Sequence, residues 1–192
     1  MPQPDELPDS EIQERPTEMI DGVVYPQTIG TPSHASVIGN LHFLLRSYFN
    51  GKICQPFTGE LDVMLDEQNT FRPDISVVCD STRFTEQGYS GAPTLVIEVL
   101  SPRTAKVDKG RKFLAYQRHG VKEYWIVNAD SESIEQFVLK NGVFALKSIH
   151  VNTSFQASSE ETHEQINFTN KFTSAVFENL TLSLPDIFSY MF

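Results

Sequence analysis

The chain has 192 residues and a formal net charge of −10, with 15 basic against 25 acidic side chains. A hydrophobic fraction of 40%, 14 phenylalanines among it, excludes a disordered protein and suits one packed domain rather than two. No apolar run reaches the ~20 residues of a membrane helix, and the start lacks a signal peptide's basic and apolar regions, so the expectation is a cytoplasmic protein with no membrane partner.

Residues 1–18 are rich in Pro, Glu, Asp and Gln and read as a mobile acidic tail, which leaves 19–192 as a single domain. Met19 to Ile29 is expected to hold a short strand pair turning at Asp21-Gly22. A helix follows: Ser33 suits its N-cap, Val37, Leu41, Leu44, Leu45 and Tyr48 share one face, and Gly51 suits its end. Strands are then expected near Ile53-Phe57, Glu60-Leu65, Asp74-Cys79 and Thr94-Leu100, with Pro73 opening the third. Cys54 and Cys79 show no metal-ligand spacing and are expected to be reduced core residues. A second helix runs from about Thr104 to His119 and stops at Gly120. Glu123-Asn128, Ile134-Lys140 and Val143-Val151 read as strands, the last two joined by an Asn141-Gly142 turn. Thr153 to His163 is polar and expected to be a loop. Phe172 to Phe192 is expected to pack back as a short helix and a closing turn. The sum is a single α/β domain with a central mixed β-sheet flanked by helices.

One residue resists this pattern. Glu98 lies inside Leu95-Val96-Ile97-Glu98-Val99-Leu100, a run with the length and β-branching of a strand buried on both faces. Alternation gives it the face of Val96 and Leu100, with no exit to water. An ionised carboxylate there costs several kcal/mol unless a cation or strong donors meet it. Asp74 stands at the mouth of the preceding long strand, and Asp108, Lys112 and Tyr116 stack on one helix face at i, i+4 and i+8. Two acids on neighbouring strands can share Mg²⁺, which takes hard oxygen ligands and needs only one or two carboxylates. Other readings remain open for each residue. Asp74 after a proline also suits a turn cap, Asp108 with Lys112 an ordinary surface ion pair, Glu98 a structural bridge to Arg72, and Tyr116 the core. Between Arg103 and Lys122 stand seven basic residues and one acid, a patch able to take a phosphate backbone or simply a solvated helix face.

These residues carry a resemblance. Arg72-Pro73-Asp74-Ile75, Ile97-Glu98-Val99-Leu100-Ser101-Pro102, Asp108-Lys109-Gly110-Arg111-Lys112 with Tyr116, and Gly120 to Val127 resemble the Uma-two family of the PD-(D/E)XK nuclease superfamily. The resemblance runs from about Ile20 onward, with His34 opening the first helix. It implies a restriction-endonuclease-like fold and a metal-dependent endonuclease that hydrolyses phosphodiester bonds, in DNA, by a water that the metal activates. It implies Asp74, Glu98 and the backbone carbonyl of Val99 as ligands of Mg²⁺, with Mn²⁺ as a substitute. The superfamily lysine belongs two residues after Glu98, where Leu100 stands; the resemblance implies Lys112 in its place. Asp108, Tyr116 and His34 would support the site, with Glu60 or Asp62 as candidates to complete it. Arg103, Lys106, Lys109 and Arg111 would take backbone phosphates. A homodimer would suit cutting two strands.

Leu100 and the net charge also suit an inactive nucleic-acid- or protein-binding module of the same fold. The five histidines lack zinc-site spacing, and neither a Gly-rich phosphate loop nor a Gly-x-Ser-x-Gly elbow occurs.

Overall fold

The computed structural model describes residues 16–27, 30–101, 105–153 and 170–189. In chain order the strands are β1 (Thr17–Ile20), β2 (Val23–Pro26), β3 (Gln55–Thr58), β4 (Val63–Asp66), β5 (Asn69–Phe71), β6 (Ile75–Val78), β7 (Phe84–Thr85), β8 (Gly88–Ser90), β9 (Leu95–Val99), β10 (Glu123–Asn128), β11 (Ser133–Lys140), β12 (Val143–Val151), β13 (Lys171–Thr173) and β14 (Thr181–Ser183). Helix α1 spans Pro32–Phe49. Helix α2 runs from Ala105–Val107 through a π-helical turn, Asp108–Lys112, into Phe113–His119; α3 is Leu184–Ile187.

A central mixed sheet has the order β12-β11-β10-β9-β6-β3, and a second sheet the order β2-β1-β5-β4-β8-β7. In the central sheet β9 and β10 are parallel, joined by α2, and β9 pairs antiparallel with β6 on its other side. Helix α1 lays Val37, Leu41, Leu45 and Phe49 on one face of that sheet, against Ile75, Val77, Leu95, Ile97 and Val99. The opposite face carries Val96, Ala115, Tyr116, Tyr124 and Ile126, and it meets Ile20 and Phe71 of the second sheet. Alternation along β9 therefore separates two apolar layers, and Glu98 falls in the layer of Val96 and α2.

The expected turns form. Asp21 and Gly22 both have positive φ (50° and 77°), as do Asn141 and Gly142 (52° and 80°), the signature of two-residue hairpins. Gly120 closes α2 in the left-handed conformation. Thr31 rather than Ser33 caps α1, accepting from His34 N at 3.2 Å, because Pro32 takes the first helical position, where a missing N–H costs nothing.

Other expectations need correction. Thr17 and Glu18, expected in the acidic tail, belong to β1, and the rest of that expectation, residues 1–15, lies outside the described residues. The expected strand at Glu60-Leu65 begins only at Val63. β5, β7 and β8 were not legible, each being three residues or fewer, and β13 and β14 form a hairpin where only a helix and turn were expected. Cys54 and Cys79 are not free thiols but a disulfide. The antiparallel register explains it: Gln55 pairs with Val78, so the flanking cysteines face each other, with Cα atoms 4.0 Å apart. The polar stretch expected as a loop lies, beyond Thr153, outside the described residues. No helix among the described residues is long and apolar enough to cross a membrane.

Candidate active site

β6 and β9 bring Asp74 and Glu98 to one end of the central sheet. Asp74 immediately precedes β6, with Pro73 before it, so its carboxylate stands at the strand mouth rather than in the ladder. Its Oδ2 accepts from the Val99 N–H at 2.7 Å, and its own N–H donates to Glu98 Oε2 at 3.4 Å. Each carboxylate thus holds the other strand's backbone, Glu98 at Asp74 itself and Asp74 at the residue after Glu98.

Glu98 is 3% exposed. Its Oε1 accepts from the Tyr116 hydroxyl at 2.9 Å and from Lys112 Nζ at 3.2 Å, both on α2. The Asp108, Lys112, Tyr116 stripe therefore faces inward; all three are buried. The surface ion-pair reading of Asp108 and Lys112 and the pairing of Glu98 with Arg72 both fail. The Arg72 guanidinium pairs with Asp62 instead.

Lys112 meets more than Glu98. Its ammonium lies 2.9 Å from Glu18 Oε1 and 3.7 Å from Asp108 Oδ1. Burial pulls its pKa down, but Glu98, Glu18 and Asp108 together outweigh that and raise it, so the cation persists. Burial pushes the Glu98 pKa well up; Lys112 opposes this, while Asp108, Asp74 and Glu18 add to it. Burial and then Glu98 also raise Tyr116, which keeps its hydroxyl a neutral donor. At the start of α1, His34 Nε2 lies 3.4 Å from Asp74 Oδ2. Burial lowers its pKa, yet the bond and charge of Asp74, a hydrogen bond to the Val99 backbone and the charge of Asp108 turn the balance upward.

A cleft of about 370 Å³ opens over these groups. Glu18, His34, Glu60, Arg72, Asp74, Glu98, Asp108 and Lys112 all reach it. Glu60 is thus at the cleft, whereas Asp62 lines a neighbouring depression with Arg72. The donor set suits a hard divalent cation. The cleft gathers the carboxylates of Glu18, Glu60, Asp74, Glu98 and Asp108 against the cations of Arg72 and Lys112 and the titratable His34, and Arg72 is already taken by Asp62. No three His, Cys, Asp or Glu side chains among the described residues stand as a ready metal cage.

The basic residues separate. Lys106 and Lys122 are exposed. Lys109 pairs with Glu135, Arg111 bonds the Tyr25 hydroxyl, and Arg118 reaches Asp21 Oδ1 at 2.9 Å. Lys112 belongs to the cleft rather than to that face, and Arg103 lies outside the described residues. Sequence reasoning missed Glu18. The signal was the alternation Thr17-Glu18-Met19-Ile20 just before the Asp21-Gly22 turn, which puts Glu18 on the face of buried Ile20.

Residues 3–171 match the model of the Uma2 family, described as "Putative restriction endonuclease". The chain belongs to the Uma2 family. An uncharacterised protein of Synechocystis sp. is 31% identical over 129 residues, covering 66% of this chain and 68% of that protein. A second from the same organism is 26% identical over 125 residues, covering 63% and 71%. A crystal structure from Anabaena variabilis, titled "a putative nuclease belonging to DUF820", superimposes with a TM-score of 0.68 at 19% identity, covering 96% of this chain and 94% of that one. The shared fold is restriction-endonuclease-like, as the Uma2 motifs imply.

Proposed function

We propose that this Uma2 protein is a metal-dependent endonuclease that hydrolyses phosphodiester bonds in DNA. The observation that carries the reading is the carboxylate excess around buried Glu98, which Lys112 alone does not balance. Asp74, Glu98 and the Val99 carbonyl would hold Mg²⁺, or Mn²⁺ in its place. When bound, the ion would offset charge on the scissile phosphate and make a nearby water a better nucleophile.

The chain's own residues do the positioning. Tyr116 donates to Glu98 Oε1 and leaves Oε2 turned toward Asp74. The Val99 N–H and His34 hold Asp74 Oδ2 from two sides. Lys112 places a permanent positive charge where phosphate charge develops, with little reorganisation left to do. Lys106, Lys109 and Arg111, with Arg103, would grip the backbone outside, a contact that carries little sequence information. The cytoplasm is the compartment proposed for it, and a homodimer would offer one cleft to each strand.

Supercoiled plasmid incubated with Mg²⁺ or Mn²⁺ tests the reading. Cleavage is expected from the native protein and not from Glu98→Ala; equal cleavage by both would sink the mechanism. Two observations favour a second reading, a non-catalytic binding module. Lys112 is already engaged by three carboxylates, and Leu100 stands where the superfamily lysine would be. Plasmid bound but never nicked, with either metal, would favour that module.

A further inference from the structure

Glu18 has no place in the motif that led to the cleft, yet it touches two parts of it. Its Oε1 accepts from Lys112 Nζ at 2.9 Å and from the Arg72 N–H at 2.8 Å. The carboxylate is 11% exposed, and the lysine it holds 7%. We propose that Glu18 is a positioning residue that keeps the Lys112 ammonium against Glu98 and fixes the backbone entering Asp74. This role rests on the nuclease reading for its purpose, though not for its geometry.

The reasoning starts from β1. Its alternation sends Glu18 inward beside Ile20, and the Met19–Thr70 pairing sets β1 along β5, one residue short of Arg72. The strand is not free to drift. The β1–β2 turn is fastened to Asn69 by the Asp21 N–H at 3.1 Å and to α2 by Arg118, while Tyr25 of β2 meets Arg111. A rigid hairpin thus delivers one carboxylate to a defined point.

Lys112 needs such an anchor because it works from a helix. A lysine on β9 would be aimed by the strand itself, whereas Lys112 crosses from α2 on a long flexible stem with much rotamer freedom to lose. Glu98 and Asp108 alone would draw the ammonium toward the sheet and its own helix turn. Glu18 pulls from the third side. The same oxygen holds the Arg72 N–H, two residues before Asp74, so the lysine and the first acid are set by one group.

Lysine acylation of the full chain by an excess of an N-hydroxysuccinimide ester, read by peptide mass spectrometry, tests this without reference to catalysis. Lys112 should label far more slowly than exposed Lys106 and Lys122. In Glu18→Gln an amide oxygen still serves the Arg72 N–H, but the negative charge that faces the Lys112 ammonium is gone. Lys112 labelling should then rise several-fold with Lys106 and Lys122 unchanged. Plasmid cleavage by that variant should lose kcat while KM stays near native, and Glu18→Ala should be worse than Glu18→Gln. Unchanged Lys112 labelling in Glu18→Gln overturns the proposal. If Glu18→Gln does not fold, Glu18→Asp decides: the shortened carboxylate should also free Lys112, and native-like labelling overturns the role. Native protein that cuts nothing, but whose Lys112 is released by Glu18→Gln, supports the positioning role and counts against the nuclease reading alone.

Discussion

Glu98 and Glu123 are both buried glutamates, on the adjacent parallel strands β9 and β10, yet they are solved differently. Glu123 is fully enclosed and meets only neutral donors. Its Oε1 accepts from Trp125 Nε1 at 2.8 Å, Gln136 Nε2 at 2.5 Å and the Ala175 N–H at 3.0 Å. Its Oε2 accepts from the Ser174 hydroxyl at 2.6 Å and the Val176 N–H at 3.2 Å. These bonds staple the segment between β13 and β14 to the central sheet. Glu98 instead has a cation, a phenol and a second carboxylate's backbone, and it opens on the cleft. Burial of an acid is therefore not what marks a site. The marks are a charge imbalance and a route to a ligand.

The sharpest break between the two is functional. Glu98→Ala should lower plasmid cleavage by about 10²–10³ or more, as loss of a preorganised charged group does. Glu123→Gln should leave the rate of the folded protein within a few-fold. Comparable losses of rate in the two variants, measured on folded protein, would erase the distinction between the two glutamates.

Stability should reverse the ranking. Glu123→Gln puts an amide donor among five donors and should cost about 3 kcal/mol in urea unfolding, because buried N–H and O–H groups lose their acceptor. Glu98→Gln in the absence of metal should cost far less, since it removes one of several crowded negative charges.

Metal should act on one glutamate alone. Mg²⁺ at ten times its Kd should stabilise native protein by about 1.4 kcal/mol, a shift readable in a thermal melt. Glu123→Gln should keep that shift, and Asp74→Asn and Glu98→Gln should lose it. A native protein with no shift at any Mg²⁺ concentration would favour the binding module.

The smallest expected effect is in pH. The folded pKa of Glu98 is raised above its ordinary value by burial and neighbouring acids. A raised pKa means the folded state holds the proton more tightly. Its contribution to stability is therefore full below the ordinary carboxylate value, ~4.3, and is lost as pH rises through the higher folded value. Without metal, native protein should lose stability relative to Glu98→Gln as pH rises through that window. Parallel stability–pH curves would contradict the charge imbalance.

How much of this was legible in sequence depends on range. Strands of six to nine residues, β10 to β12, were readable because alternation and the Asn141-Gly142 turn are local signals. β7 and β8 were not, being too short to show a period. Glu98 was legible because a charge stood alone in an apolar run. Glu123 was not, because a glutamate after Lys122 at the start of a strand looks solvated. Its acceptors' partners, Gln136 and Ser174, lie 13 and 51 residues away. Glu18 was hidden by the acidic tail it adjoins, and the cysteines by their sequence separation of 25.

The sequence by itself determined the long elements, their turns, and the fact that Glu98 required a partner, since all of these follow from spacing along one chain. Only the tertiary structure decided who the partners are. It turned Arg72 to Asp62, gave Lys112 to three acids, and carried Glu18 into the cleft on a hairpin. Ion pairing depends on distances through space, and those are set when the β1–β2 hairpin docks on α2 and the central sheet closes beneath it.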